Sequence, residues 1–323
     1  FFKNNEYFSN FSKGYTLLGF HVAPTLSYYP NENIKISGGV HLLKYSGRDN
    51  FKDAIPTFSF QYKVNNSINI IMGTLYSGTN HNLIAPMYNF DNFIENNVES
   101  GLQFLLDFPY LKTDIWLNWN KFILKDDPFQ EELTTGFVTE LNVLSEGDLS
   151  ISIPVQSTAV HHGGQINDNN TDVKTIINTN YGIDISYTPE KKFLKAIKLN
   201  SYYLIYENLS PNPAEIYKDG YGIYNTLSVD FGYPLITIGY WKAKEYISAI
   251  GNPLFQSISD YKLHFSEPER ELLTFNISYS KEIFDNINLG LRIETYYDII
   301  STKMDYNYGL YFTFNRDFFI RKI

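Results

Sequence analysis

From about Tyr15 to Asn315 the side chains of this chain alternate between apolar and polar at nearly every position, in short runs joined by connections that are tight and long by turns. In one run Leu273, Phe275, Ile277 and Tyr279 interleave with Leu272, Thr274, Asn276 and Ser278. In the next, Ile287, Leu289, Leu291 and Ile293 interleave with Asn288, Gly290, Arg292 and Glu294. Successive side chains of a strand point to opposite faces, so each run has one apolar face and one polar face. Sustained through 323 residues, the pattern predicts an all-β fold, a closed antiparallel up-and-down transmembrane β-barrel with lipid outside and polar groups inside.

Fifteen segments carry the alternation, the first near 15–29 and the last near 303–315, with others near 97–107, 179–188 and 193–206. Many exceed the ~5–6 residues usual in soluble sheets and match the ~9–11 that a tilted strand needs to cross a bilayer. Tight turns are expected at Asn31–Glu32, Asn65–Asn66, Phe108–Pro109, Ser145–Gly147, Pro189–Lys192, Gly232 and Lys281–Phe284, all built from turn-forming residues. Long polar connections fall between them at 47–53, 77–96, 123–132, 162–177, 207–220 and 247–269. A Greek-key sandwich would not keep that order, whereas a meander closed on itself requires it. Fifteen antiparallel strands would close with their ends parallel, so residues 1–12, and within them Phe1 to Phe8, are expected to supply the end of a sixteenth. Fourteen is the alternative, if two segments form one bent strand. The whole chain, 1–323, then makes a single barrel domain.

Composition agrees with this reading. Tyr and Phe, 27 and 25 residues, bring the aromatic share to 17%, as suits strands. No stretch of 18 apolar residues predicts a membrane helix, and a mean hydropathy of −0.26 conceals the lipid-facing half of each strand. Cysteine is absent, which removes disulfides and thiolate metal sites. A net charge of −9 excludes the basic footprint of a nucleic-acid partner. The opening Phe1, Phe2, Lys3, Asn4, Asn5 has no basic segment followed by an apolar one, so the chain reads as a mature or trimmed form.

The polar faces place Lys35, Lys63, Glu99, Asp114, Glu140, Asp184, Asp230, Lys242, Arg292, Glu294 and Asp305 along the lumen. Buried charges need water or one another, so they imply either an aqueous bore of mild cation preference or paired networks that stiffen the wall. Tyr62, Trp119, Tyr181, Tyr187, Tyr240, Tyr279 and Tyr297 stand on the outer face nearer the strand ends, where amphipathic rings form the aromatic girdles of a membrane barrel.

Loop chemistry is sparser. Asp126, Asp127, Glu131 and Glu132 crowd one loop, and Asp168 and Asp172 another, offering oxygen ligands of the kind Ca²⁺ takes. No other cofactor is expected. Ser157 and His161 share a strand face, but catalysis by a serine needs a third, orienting group that the spacing does not supply. The chain is therefore expected not to be an enzyme. The longest loops hold Leu83, Ile84, Met87, Tyr88 and Phe90 in one, Ile247, Ile250, Leu254 and Phe255 in the other, and these either fold into the lumen or dock a partner.

Tyr306, Tyr308, Leu310, Phe312 and Phe314 form an amphipathic last strand ending in an aromatic, after which the chain continues through Arg316 and Asp317. With the alternation over all 323 residues, that strand makes the chain resemble bacterial outer-membrane β-barrels of the porin-like type. The resemblance implies a Gram-negative outer membrane, long loops extracellular and short turns periplasmic, with outer-membrane lipids, lipopolysaccharide and the insertion machinery as partners. It implies a channel for passive or weakly selective diffusion of small hydrophilic solutes; the alternative is an accessory barrel that docks other envelope proteins without conduction.

Overall fold

A computed structural model describes residues 1–164 and 171–320. Seventeen strand segments form one sheet. In chain order they are β1 (Phe2–Glu6), β2 (Thr16–Val22), β3 (Thr25–Asn31), β4 (Ile34–Tyr45), β5 (Asp53–Asn65), β6 (Ile68–Thr74), β7 (Ser100–Phe108), β8 (Leu111–Lys121) and β9 (Glu132–Glu146). They continue as β10 (Leu149–His162), β11 (Lys174–Tyr187), β12 (Ala196–Asn208), β13 (Asp219–Asp230), β14 (Leu235–Lys244), β15 (Glu269–Phe284), β16 (Ile287–Asp298) and β17 (Met304–Phe314).

Every pairing is antiparallel, and the ring closes through β1, which pairs with β17 on one side (Phe2 opposite Leu310) and β2 on the other (Phe2 opposite Leu18). β2 and β3 both pair with β4, end to end, so they fill one place in the ring and the barrel has sixteen strands. The interruption falls at Ala23 and Pro24, where the proline has no amide proton for the ladder. The carbonyl of Pro24 accepts from Val40 N at 3.3 Å, and a Cβ on neighbouring Gly39 would lie 2.4 Å from that oxygen, so only glycine admits the approach.

Hydrogen bonding explains why the sheet closes at all: backbone groups in hydrocarbon have no water to satisfy them, so a ring without edges is one of the two solutions open to a membrane chain. Side-chain burial runs opposite to that of a soluble sheet. Leu18, Leu26, Phe58, Ile238, Leu273 and Phe312 are exposed on the outer face. Trp241, Tyr246, Phe255, Leu254 and Leu204 are wholly buried inside. No helix among the described residues is long and apolar enough to cross a membrane.

At one end the connections are mostly short (32–33, 66–67, 109–110, 147–148, 231–234 and 285–286), with 188–195 longer than expected. At the other lie 46–52, 75–99, 122–131, 163–173, 209–218 and 245–268. These are called the turn end and the loop end below. Strand bounds differ from expectation where the alternation is weak: β11 starts at Lys174 rather than 179, and β7 at Ser100 rather than 97, because 75–99 has a course of its own.

Candidate functional site

Both long loops turn into the barrel. Loop 75–99 carries a short 3₁₀ turn, Gly78–His81, and a one-turn helix α1, Asp91–Glu95. Its backbone is held by the far wall: Ile84 N donates to Gln156 Oε1 at 3.1 Å, and Gln156 Nε2 donates back to Asn82 O at 2.9 Å. Asp91 accepts from Lys3 Nζ, from Asn5 Nδ2 at 3.0 Å and from Tyr15 Oη at 2.5 Å, a buried carboxylate saturated with donors. Loop 245–268 packs Leu254 and Phe255 among Tyr224, Trp241, Tyr246 and Tyr296, with Phe255 edge-on to Trp241, Tyr224 and Tyr296 at 5.5–5.8 Å. Trp241 Nε1 donates to Phe255 O at 3.0 Å, and Asn178 Nδ2 to Ile247 O at 2.6 Å. Arg270, 1% exposed, pairs with Asp298, donates to Leu254 O at 2.9 Å and stacks on Phe11. The two loops join through Asn89 N to Ile250 O at 2.8 Å and Asn252 N to Ala85 O at 3.2 Å. Of the two courses that the sequence left open for them, the inward one is taken.

What they leave free is a cavity of about 660 Å³ against the wall formed by β4, β5, β7, β8 and β9. His41, Asp53, Tyr88, Glu95, Glu99, Trp116, Asn118, Glu132 and Thr134 line it, with His81 beneath. His81 is 1% exposed and lies stacked on Trp116, ring centroids 3.7 Å apart. Its Nδ1 donates to Asp114 Oδ2 at 2.7 Å and its Nε2 to Glu99 Oε2 at 3.0 Å. Burial alone would lower the imidazole pKa, but the two carboxylates outweigh it and hold the group up at about 9. His81 is thus an imidazolium fixed between two acids, with no nitrogen left to accept a proton. Trp116 reaches this position because Gly136 faces it; a Cβ there would lie 2.0 Å from the indole.

The second imidazole group differs. His41 Nε2 and His21 Nδ1 are 3.3 Å apart, and His41 Nδ1 makes no hydrogen bond among the described residues. His41 and Asp53 open on the same cavity, where Lys52 lies 3.7 Å from Asp53. An imidazole with one nitrogen oriented by a neighbour and the other free is the arrangement general-base chemistry requires.

Of the residues assigned to the lumen from sequence, Glu99 and Asp114 meet at His81. Arg292 and Glu294 pair at 2.7 Å, with Asn276 donating to Glu294 at 3.0 Å. Asp305 accepts from the backbone of Phe8 and Ser9. Glu140 accepts from Ser152 at 2.8 Å, Asp184 from Asn200 at 2.6 Å, and Asp230 from Gly232 N at 2.6 Å. Lys35 and Lys63 share the strand face of buried Ser37 and Ser59 near the turn end. Lys242 is a correction: the inward face of β14 is carried by buried Gly239, Trp241 and Ala243, so Lys242 stands outside with Tyr240, 3.9 Å from Glu271. At the strand's loop end a charge on the outer face sits at headgroup depth, where its cost falls to about 0–1 kcal/mol. Tyr62, Trp119, Tyr181, Tyr187 and Tyr297 are exposed on the outer face, and Tyr240 and Tyr279 partly so.

The acidic loop does not assemble into a calcium site. Asp127 instead caps Leu124 N at 2.7 Å, and Glu132 faces Lys121 at 3.8 Å; Asp126 and Glu131 complete no ligand set with them. Among the described residues no group of three or more His, Asp or Glu is gathered to hold a metal. Asp172 accepts from Asn212, and Asp168 lies outside the described residues. Ser157 and His161 are bonded to Thr179 and Thr175 on the neighbouring strand, not to each other.

A family model described as lipid A 3′-O-deacylase-type matches residues 1–323. That match overturns the expectation that the chain is not an enzyme. Among solved structures, OpdL of Pseudomonas aeruginosa is similar at a TM-score of 0.53 and 8% identity, covering 96% of both chains. The outer membrane protein OmpT of Vibrio cholerae, in its trimer form, is similar at 0.52 and 8%, covering 97% of this chain and 96% of that one. An anion-selective porin from Comamonas acidovorans is similar at 0.51 and 10%, covering 97% and 96%. At such identities the likeness is one of fold, that of porin-like outer-membrane barrels. No curated protein sequence matches the chain.

Proposed function

Because the chain belongs to the lipid A 3′-O-deacylase-type family, we propose that it is a hydrolase cleaving an ester-linked acyl chain from a glycolipid at the loop end of the barrel, which faces the cell exterior. The observation that carries this reading is the family match over the whole length. Two inward loops that bridge the bore and leave a walled cavity against β4–β9 support it. In this reading His41 Nδ1 takes a proton from water while His21 and Asp53 orient the ring and its charge. The resulting hydroxide adds to the acyl carbonyl; the sugar oxygen then leaves with the proton that His41 returns, giving a free fatty acid and a sugar hydroxyl.

Detergent-purified protein incubated with lipid A is expected to shorten it by one acyl group, read by mass spectrometry. His41→Ala should slow that release by about 100-fold or more, the scale of a lost general base. Absence of any released fatty acid would overturn the reading.

Diffusion of small hydrophilic solutes is the second reading. It is favoured by the turn-end half of the wall, where Asn200, Thr226, Ser228, Thr237, Asn276 and Ser278 present polar groups inward. Planar-bilayer recording tests it. Currents that rise steeply when loop 75–99 is deleted would identify that loop as the barrier, and porin-sized currents from the intact chain would favour the channel.

A further inference from the structure

His41 has an unlike neighbour. The inward face of β5, marked by cavity-lining Asp53 and buried Ser59, runs Asp53, Ile55, Thr57, Ser59, Gln61 and Lys63, a polar row broken once. The break falls opposite His41: Ile55 is its register partner across the β4–β5 ladder, and both line the cavity. Side chains so paired on one face stand roughly 4.5–5.5 Å apart at Cβ, so the imidazole and the isoleucine share one patch of wall. Ile55 is 38% exposed and belongs to neither buried apolar cluster. Val98, Ala249 and Ile250, which the two inward loops bring to the lining, also stand outside both clusters. Apolar surface facing water is unfavourable in proportion to its area, and an apolar group laid over it removes that penalty.

The orientation of His41 decides what reaches Ile55. β4 has β2 on one side and β5 on the other, and His21 belongs to β2. Nε2 of His41 is turned to His21, and the two nitrogens of an imidazole point apart, so Nδ1 is directed away from β2. An ester bound there has two ends. A sugar hydroxyl pressed against Ile55 would lose its hydrogen bonds to water and gain none, whereas methylene groups would gain burial.

Taking His41 as the base of the hydrolase reading, on which this step rests, we infer that Ile55 selects the acyl chain by contacting its first few carbons beside the ester. The attacked carbonyl lies on the Ile55 side of the base, and the sugar is left to the amides and carboxylates of the remaining wall.

The test is hydrolysis of four p-nitrophenyl esters, acetate, butyrate, hexanoate and octanoate, by the full chain in detergent. For the unaltered protein kcat/KM should rise about tenfold from acetate to hexanoate and then level off, because only the first carbons reach the isoleucine. Ile55→Ser should flatten that profile to within about twofold. Ile55→Phe, which fills the space over the ester, should turn the order over and leave acetate the best substrate. Should Ile55→Ser fail to fold, Ile55→Val, one methylene smaller, should still lower the preference for hexanoate about threefold. His41→Ala should slow all four esters alike, which separates the base from the residue that selects. Loss by one common factor on every ester in the Ile55 variants, or a profile flat from the outset, would overturn the role of Ile55 and leave the hydrolase reading standing. No hydrolysis of any ester or of lipid A would overturn the hydrolase reading, and Ile55's role with it.

Discussion

The two sides of the barrel's loop-end interior are built on opposite principles. Between β12 and β16, Trp241, Tyr246, Phe255, Leu254, Tyr224 and Tyr296 pack as dry as the core of a soluble domain, and a whole loop is consumed in filling the space. Between β4 and β9 the other loop, whose Met87 reaches that dry core, leaves space behind it, and there the wall keeps imidazoles, carboxylates and amides around a cavity. The difference lies in what each wall offers the loop that reaches it: indole and phenol faces on β13, β14 and β16, but His41, Asp114 and Asn118 on β4 and β8. Stability is concentrated on one side of the bore, and chemistry on the other.

Breaking the dry side should give the largest effect. Trp241→Ala removes the centre of three aromatic contacts and the donor to Phe255 O, and is expected to cost about 3–5 kcal/mol, read as a lowered midpoint of unfolding in detergent or lipid. A loss below about 1 kcal/mol would mean that loop 245–268 is not held by this core. On the wet side, the His81 imidazolium is expected to come next. Its folded pKa of about 9 lies above the ordinary 6.5, so the stabilisation is fully present below pH 6.5 and is lost as pH rises through about 9. The full span is roughly 3 kcal/mol, and Trp116 emission should report loop 75–99 leaving the wall over that range. His81→Ala should abolish the pH dependence. Gly136→Ala should act through the same indole, displacing Trp116 at about 1–3 kcal/mol and reshaping the cavity while the dry side stays intact. Smallest of all is Lys242→Leu, outside both regions, which should change stability by no more than about 1 kcal/mol.

Most of the cylinder could be read before any coordinates, because period-two patterning specifies which face each residue takes and the turn residues specify where strands end. Even the sixteenth strand was legible, as Phe2–Glu6, from the requirement that an antiparallel ring be even. Lys242 shows where that reading slips. Parity places it with Ile236, Ile238 and Tyr240, and only a preference for hiding charge moved it inward. The site was hardly legible. His81 lies in a loop 18 residues before Glu99 and 33 before Asp114, and no local period relates them. His41 has the inward parity of buried Ser37 on β4, but its partner His21 is a neighbour only through the β2–β4 pairing. The acidic run at 126–132 looked like a ligand set because neighbours in sequence were read as neighbours in space, whereas Asp127 and Glu132 each bond elsewhere.

Closure through β1 and β17 also orders the events of folding. The five residues Phe2–Glu6 bond to Leu310–Tyr306, so the ring is sealed only by a pairing between its first and its last strand in chain order. Asp91 waits for that same segment, since Lys3 and Asn5 come from it, and so the inner loop cannot be latched on that side before the cylinder is sealed. An enzyme assembled in this sequence would stay silent throughout its transit to the membrane and acquire its pocket there, as the final act of its own insertion.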